Sequence, residues 1–98
     1  MKSMSTAPLV QIHVPSMLRD ACGGQSRLPL EASTVRGALA SIEERFPALY
    51  RSVCHETGAV RRHVNLFVNM HHIRDLQGID TPLRVGDVIA ILPAVSGG

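Results

Sequence analysis

Leu83-Arg84-Val85-Gly86-Asp87 followed by Val88-Ile89-Ala90-Ile91-Leu92 reads as a tight turn feeding an almost uninterrupted apolar run. Such a run, closed by Pro93, suits a strand buried on both faces at the centre of a sheet. It makes the C-terminal segment the axis of the fold and every other element its neighbour or its cover. Beyond Pro93 come Ala94-Val95-Ser96-Gly97-Gly98, so the central strand projects a short uncharged tail away from the body.

The neighbours read outward from that strand. Val10, Ile12 and Val14 alternate with Leu9, Gln11 and His13, a period of two that predicts a strand with one buried face, stopped by Pro15. Ser16 to Gly24 reads as a loop ending in the turn signal Gly23-Gly24. Ser26 to Glu31 resumes alternation with Leu28 and Leu30 on one face, which pairs it with the first strand. Ser33-Thr34 offers a helix cap, and Val35, Leu39, Ile42 and Phe46 follow at helical spacing with charged residues between them. Pro47 disfavours helical geometry at Phe46, so the main helix is expected to end there, with a short further turn over Ala48 to Val53. His63 to Asn69 is a strand, Met70-His71-His72 turns the chain, and Ile73 to Pro82 is irregular. Strand, strand, helix, strand, strand is the order of a two-layer α+β domain, one helix on a mixed four- or five-stranded sheet.

Length and composition set the limits. The chain has 98 residues, 45% hydrophobic and 18% charged, enough for one core and too apolar for a disordered chain. Residues 9–93 are expected to form the domain, with 1–8 as a disordered extension and 94–98 as a flexible tail. No apolar run approaches the roughly 20 residues that span a bilayer, and the N-terminus lacks a signal peptide's apolar core. A cytoplasmic protein is expected. The net charge of +2 and the small Arg61-Arg62-His63 cluster do not make a nucleic-acid footprint. Cys22 and Cys54 are too few for a four-cysteine metal site, and His55, His63, His71 and His72 have no partners at ligand spacing, so no metal is expected and solvated turn histidines are.

The tail carries the chemistry. Ala94 to Gly98 spans about 17 Å when extended. Gly97 and Gly98, without Cβ atoms, fit a channel that admits little more than backbone. The group they deliver is an α-carboxylate, anionic at neutral pH with a pKa of about 3.5 and a poor electrophile. Adenylation by ATP would activate it, and a sulfur donor would then leave a thiocarboxylate. The domain has no phosphate-binding loop of its own. It would be a substrate passed between enzymes.

The strand order, Arg84-Val85-Gly86-Asp87-Val88 and Leu92-Pro93-Ala94-Val95-Ser96-Gly97-Gly98 together resemble the ubiquitin-like sulfur carriers of the ThiS/MoaD family, nearest to those of the CysO type. Pro15, Leu18, Arg19, Gly23, Gly24 and Gln25 in the first loop, Val68-Asn69 and Ile91 to Val95 add to the likeness. The resemblance implies a β-grasp fold and Gly98 as the residue that bears the acyl-adenylate and then the thiocarboxylate. Gly97, Ser96 and Val95 would thread into the partner. It implies an E1-like enzyme of the MoeB/ThiF type using ATP, a sulfurtransferase or other sulfur donor, a pyridoxal-phosphate-dependent cysteine synthase-like enzyme and a JAMM-type metalloprotease as partners. No bound cofactor is implied. Cys22 stands where such carriers tend to have a polar residue, which would put a second thiol near the surface.

Alternation sets Phe67 on the sheet face opposite Val64, Leu66 and Val68, where an aromatic ring is either a partner contact or a singly exposed apolar residue. Three rival functions share this sequence: the small subunit of a molybdopterin synthase or a thiamine-type carrier, a ubiquitin-like protein modifier, and a purely structural interaction domain.

Overall fold

The computed structural model describes residues 7–94. Five strands, β1 (Leu9–His13), β2 (Arg27–Glu31), β3 (Val64–Val68), β4 (His71–His72) and β5 (Val88–Pro93), form one sheet in the order β2-β1-β5-β3-β4. β5 lies at its centre, as the apolar run predicts. It runs parallel to β1, with Ile12 opposite Ile89, and antiparallel to β3, with Leu66 opposite Ile91. β1 and β2 are antiparallel, Val10 facing Leu30, and the Pro8 carbonyl extends that ladder by accepting from the Ala32 amide at 3.0 Å. Pro29 sits in β2, an edge strand, where a residue without an N–H interrupts no central ladder.

Two helices cover one face. In α1 (Val35–Arg45) the Thr34 hydroxyl oxygen accepts from the Gly37 amide at 3.1 Å and caps the first turn. Val35, Ala38, Leu39 and Ile42 form its buried stripe. Phe46, with φ −139° and ψ 71°, leaves the helical region because Pro47 follows, and Pro47 then opens α2 (Pro47–Val53) as its first residue. Leu49 and Val53 of α2 join Val10, Ile12, Leu28, Leu66, Ile89 and Ile91 in the core. Truncating Ile42, among the largest fully buried side chains, to alanine is expected to cost about 2–5 kcal/mol, because the site cannot fully collapse.

Four readings of the sequence are corrected. β5 is buried on one face only: Ile89 and Ile91 enter the core, whereas Val88 and Ala90 are half-buried and Leu92 is exposed on the other side. Ser16–Cys22 is not a loop but a seven-residue 3-10 helix that Gly23 ends at φ 70°. Cys22, its last residue, is buried, its thiol donating to the Gln25 carbonyl at 3.3 Å, so it is no surface thiol. Last, Asn69-Met70 makes the turn after β3, and His71-His72 pair back on β3 as β4. Among the described residues no helix is long and apolar enough to cross a membrane.

Candidate functional site

The two ends of β5 define the site. At its far end Leu92 lies opposite Asn65 and Pro93 opposite Val64, and the Ala94 amide donates to the His63 carbonyl at 2.6 Å. Ala94 is thereby held beside the Arg61-Arg62-His63 turn, in which the Val64 amide donates to the Arg61 carbonyl. Val95, Ser96, Gly97 and Gly98, the residues from which the sequence derives its chemistry, lie outside the described residues, as do residues 1–6.

At its near end β5 is held by a small polar clamp. The Arg84–Asp87 turn closes through the Asp87 amide to the Arg84 carbonyl at 3.0 Å and the Arg84 amide to Asp87 Oδ2 at 2.8 Å, with Gly86 at φ 89°. A positive φ there costs glycine little. Asn69 reaches across from the β3–β4 turn and binds both Asp87 and the Val88 amide. The strand that carries the tail is thereby fixed in register at its root and its exit.

The sheet face away from the helices is open. Val88, Ala90 and Leu92 of β5, Phe67 of β3, His13 of β1 and Met70 line a shallow, largely apolar groove there. Met70 is 91% exposed and Leu92 48%, so the groove presents large apolar side chains to solvent. Phe67 lies on this face, as alternation indicates, with its ring edge-on to His72 at 5.1 Å. His72 is not a freely solvated turn residue. Its Nδ1 accepts from the Arg74 amide at 3.1 Å, which leaves Nε2 to carry the proton and donate to Asn65 Oδ1 at 2.9 Å. Sequence reasoning singled out Phe67 and missed Met70, Val88 and Leu92. The signal available for Met70 was its place after Asn69 in a two-residue hairpin turn, where both residues take positive φ.

Cys54 offers no ready nucleophile. Cys54 is buried at the end of α2, and burial pushes its thiol up from the ordinary range, partly opposed by the Tyr50 hydroxyl and Arg61 and reinforced by Glu43. A thiol held protonated is a poor attacking group. Among the described residues no three His, Cys, Asp or Glu side chains converge as metal ligands would.

A central C-terminal strand, a helix laid on one face and an open second face define a ubiquitin-like β-grasp domain. The ThiS family profile matches residues 12–98, and the chain belongs to that family. The sulfur carrier protein CysO of Mycobacterium tuberculosis is 30% identical over 91 residues, 91% of this chain and 98% of that protein. Among solved structures, the small archaeal modifier protein 1 of Methanosarcina acetivorans is 31% identical with a TM-score of 0.84, covering 96% of this chain and 100% of that one. A chain of the Amycolatopsis orientalis BexX/CysO complex is 29% identical with a TM-score of 0.83, covering 91% of this chain and 99% of that one. The class is that of the ThiS/CysO-type sulfur carriers and their ubiquitin-like relatives, small protein carriers rather than catalysts.

Proposed function

We propose that this protein is the sulfur-bearing co-substrate of a biosynthetic route, with Gly98 as its reactive residue. An oxygen of the Gly98 carboxylate attacks the α-phosphorus of ATP on an E1-like MoeB/ThiF-type enzyme, and pyrophosphate leaves. A sulfur donor then displaces AMP from the acyl carbon and leaves a thiocarboxylate. Its sulfur goes to an aminoacrylate on a pyridoxal-phosphate-dependent synthase in the manner of cysteine synthesis, and a JAMM-type metalloprotease releases the product. ATP is consumed by the activating enzyme, and the carrier needs no cofactor of its own. Such partners place the work in the cytoplasm.

The observation that carries this reading is the course of β5. β5 is pinned at Asp87 and at Ala94, the last residue before Val95-Ser96-Gly97-Gly98, and the apolar groove around Phe67 lies along the same strand. A partner seated on the groove would sit on the strand from which the tail begins. The similarity to an archaeal modifier protein favours one second reading, transfer of the Gly98 acyl group to a protein lysine.

The test is the intact and fragment mass of the protein after incubation with ATP, sulfide and the activating enzyme. Exchange of one carboxyl oxygen for sulfur, localised to Gly98, is the expected result. Localisation and thiol-directed alkylation separate it from oxidation of the four methionines, which shifts mass almost equally. An unchanged Gly98 with an enzyme active on another carrier would overturn the reading, and lysine-linked Gly98 would replace it with the modifier function.

A further inference from the structure

Apart from Lys2, every Lys or Arg position in this chain is arginine, nine in all. Four of the nine use the geometry of the guanidinium. Arg19 Nε donates to the Val14 carbonyl at 3.0 Å and Arg36 Nε to Asp80 Oδ1 at 3.0 Å. Arg45 Nη1 donates to the Pro29 carbonyl at 3.1 Å and Arg61 Nε to the Arg51 carbonyl at 2.7 Å. The other five, Arg27, Arg51, Arg62, Arg74 and Arg84, are exposed, and their side chains make no hydrogen bond within the described residues. At those five positions lysine would serve solubility equally well.

What separates the two residues there is reactivity. Guanidinium stays protonated throughout the working pH range and does not attack carbonyl carbon. A lysine with a pKa of about 10.4 always keeps a small neutral fraction that does. Arg62 is the sharpest case. It adjoins His63, whose carbonyl accepts the Ala94 amide, and no path of the tail takes Gly98 more than about 17 Å from Ala94. An amine at position 62 would lie beside the root of the chain end that becomes electrophilic.

We propose that arginine at these positions protects the carrier from its own activated terminus. The acyl group of Gly98 finds no amine on the domain after residue 2, and so passes to an acceptor supplied by another molecule. The inference rests on the adenylation reading above. The reaction it prevents is fully balanced: an amine nitrogen bonds the acyl carbon, the bond to the AMP oxygen breaks, AMP leaves with that electron pair, and the amine proton goes to solvent.

The experiment incubates the full chain and its Arg62→Lys and Arg84→Lys variants with the activating enzyme and ATP, without a sulfur donor. Pyrophosphate release reports activation; intact mass and peptide mapping report self-acylation. The wild type should release pyrophosphate with amide products confined to Lys2 or the N-terminal amine. Arg62→Lys should release pyrophosphate at the same rate and form at least tenfold more internal amide, seen as loss of one water and mapped to position 62. Arg84→Lys should form more linked dimer than wild type. A second measurement uses each chain prepared with Gly98 as a thioester, free of enzyme, so that shielding by the enzyme cannot hide the effect. If neither variant exceeds wild type in that aminolysis, the protective role is overturned. Failure of pyrophosphate release alone would overturn the adenylation reading, while the thioester comparison would still decide the chemistry of the surface.

Discussion

The Asn69 side-chain amide donates to Asp87 Oδ1 across 2.8 Å while its carbonyl oxygen accepts the Val88 amide at 3.0 Å. One side chain thus ties the β3–β4 turn to the turn that launches the central strand. Asp87 also accepts the Arg84 amide through Oδ2 and, through its backbone carbonyl, the Gln11 amide at 3.0 Å. Three strands meet at this clamp. Asn69→Ala is expected to lower stability by about 1–3 kcal/mol, through the loss of two hydrogen bonds open to water and alanine's poorer tolerance of φ 55°. A double-mutant cycle with Asp87→Ala, read by urea denaturation, should give a coupling of about 0.5–1.5 kcal/mol. Additive losses would mean that the two side chains act independently.

Met70 should behave in the opposite sense. It holds φ at 98°, a region that a side chain with a Cβ enters only at a cost, and its side chain is almost wholly exposed. Met70→Gly relieves that strain and is expected to raise stability by about 0.5–1 kcal/mol after the added chain entropy of glycine is offset. The same substitution strips a wall from the apolar groove. A higher denaturation midpoint together with weaker binding of the activating enzyme would identify Met70 as kept for its surface; a lower midpoint would refute the strain argument.

These two residues also show where the sequence is legible. The end of α1 could be read from Pro47, and its start from Thr34, because capping and proline sterics act on the residues next to them. The central place of β5 followed from its apolar run. That run misled in one respect: Val88, Ala90 and Leu92 are apolar although no helix covers them, and hydropathy does not distinguish a residue meant for the core from one left open on the surface. Ser16–Cys22 escaped because a 3-10 helix this short has no extended periodic stripe, and Cys22 is buried by tertiary packing that its neighbours in sequence do not announce. β4 is two residues long, too brief for alternation to register. Phe67 was legible because strand alternation alone assigns its face. The clamp was not, since Asn69 and Asp87 are 18 positions apart and meet only through the sheet.

Phe67 and Leu92 test the open face directly. Phe67→Ala removes a half-buried ring whose loss leaves the core cluster intact, and Leu92→Asp sets a charge on an exposed position of β5. Each is expected to weaken binding of the activating enzyme at least tenfold, about 1.4 kcal/mol or more. Unfolding should remain cooperative with its midpoint little changed for Leu92→Asp. Titration calorimetry gives the affinity and chemical denaturation the control. Wild-type affinity in both variants would remove this face from the interface and leave the tail as the sole point of contact.

Cys54 predicts a loss of stability in alkali. Its burial raises the folded thiol above the ordinary value of 9.0, so the native state holds its proton more tightly than the unfolded chain does. The stabilisation is full below about pH 9, where the thiol is protonated in both states, and is lost as pH climbs through the folded value. Tyr50, raised from 10.0 chiefly by burial and then by Cys54 and Glu43, adds a contribution of the same sign at higher pH. Denaturation at pH 7.5 and pH 10 should show the wild type losing stability across that interval. Cys54→Val, which fills the same space without a titrating group, should lose measurably less. In the native protein at pH 8, Cys54 should also resist alkylation until the chain unfolds. An equal decline in both proteins, or rapid native-state alkylation at Cys54, would show that the thiol is not held in the protonated form that its surroundings favour.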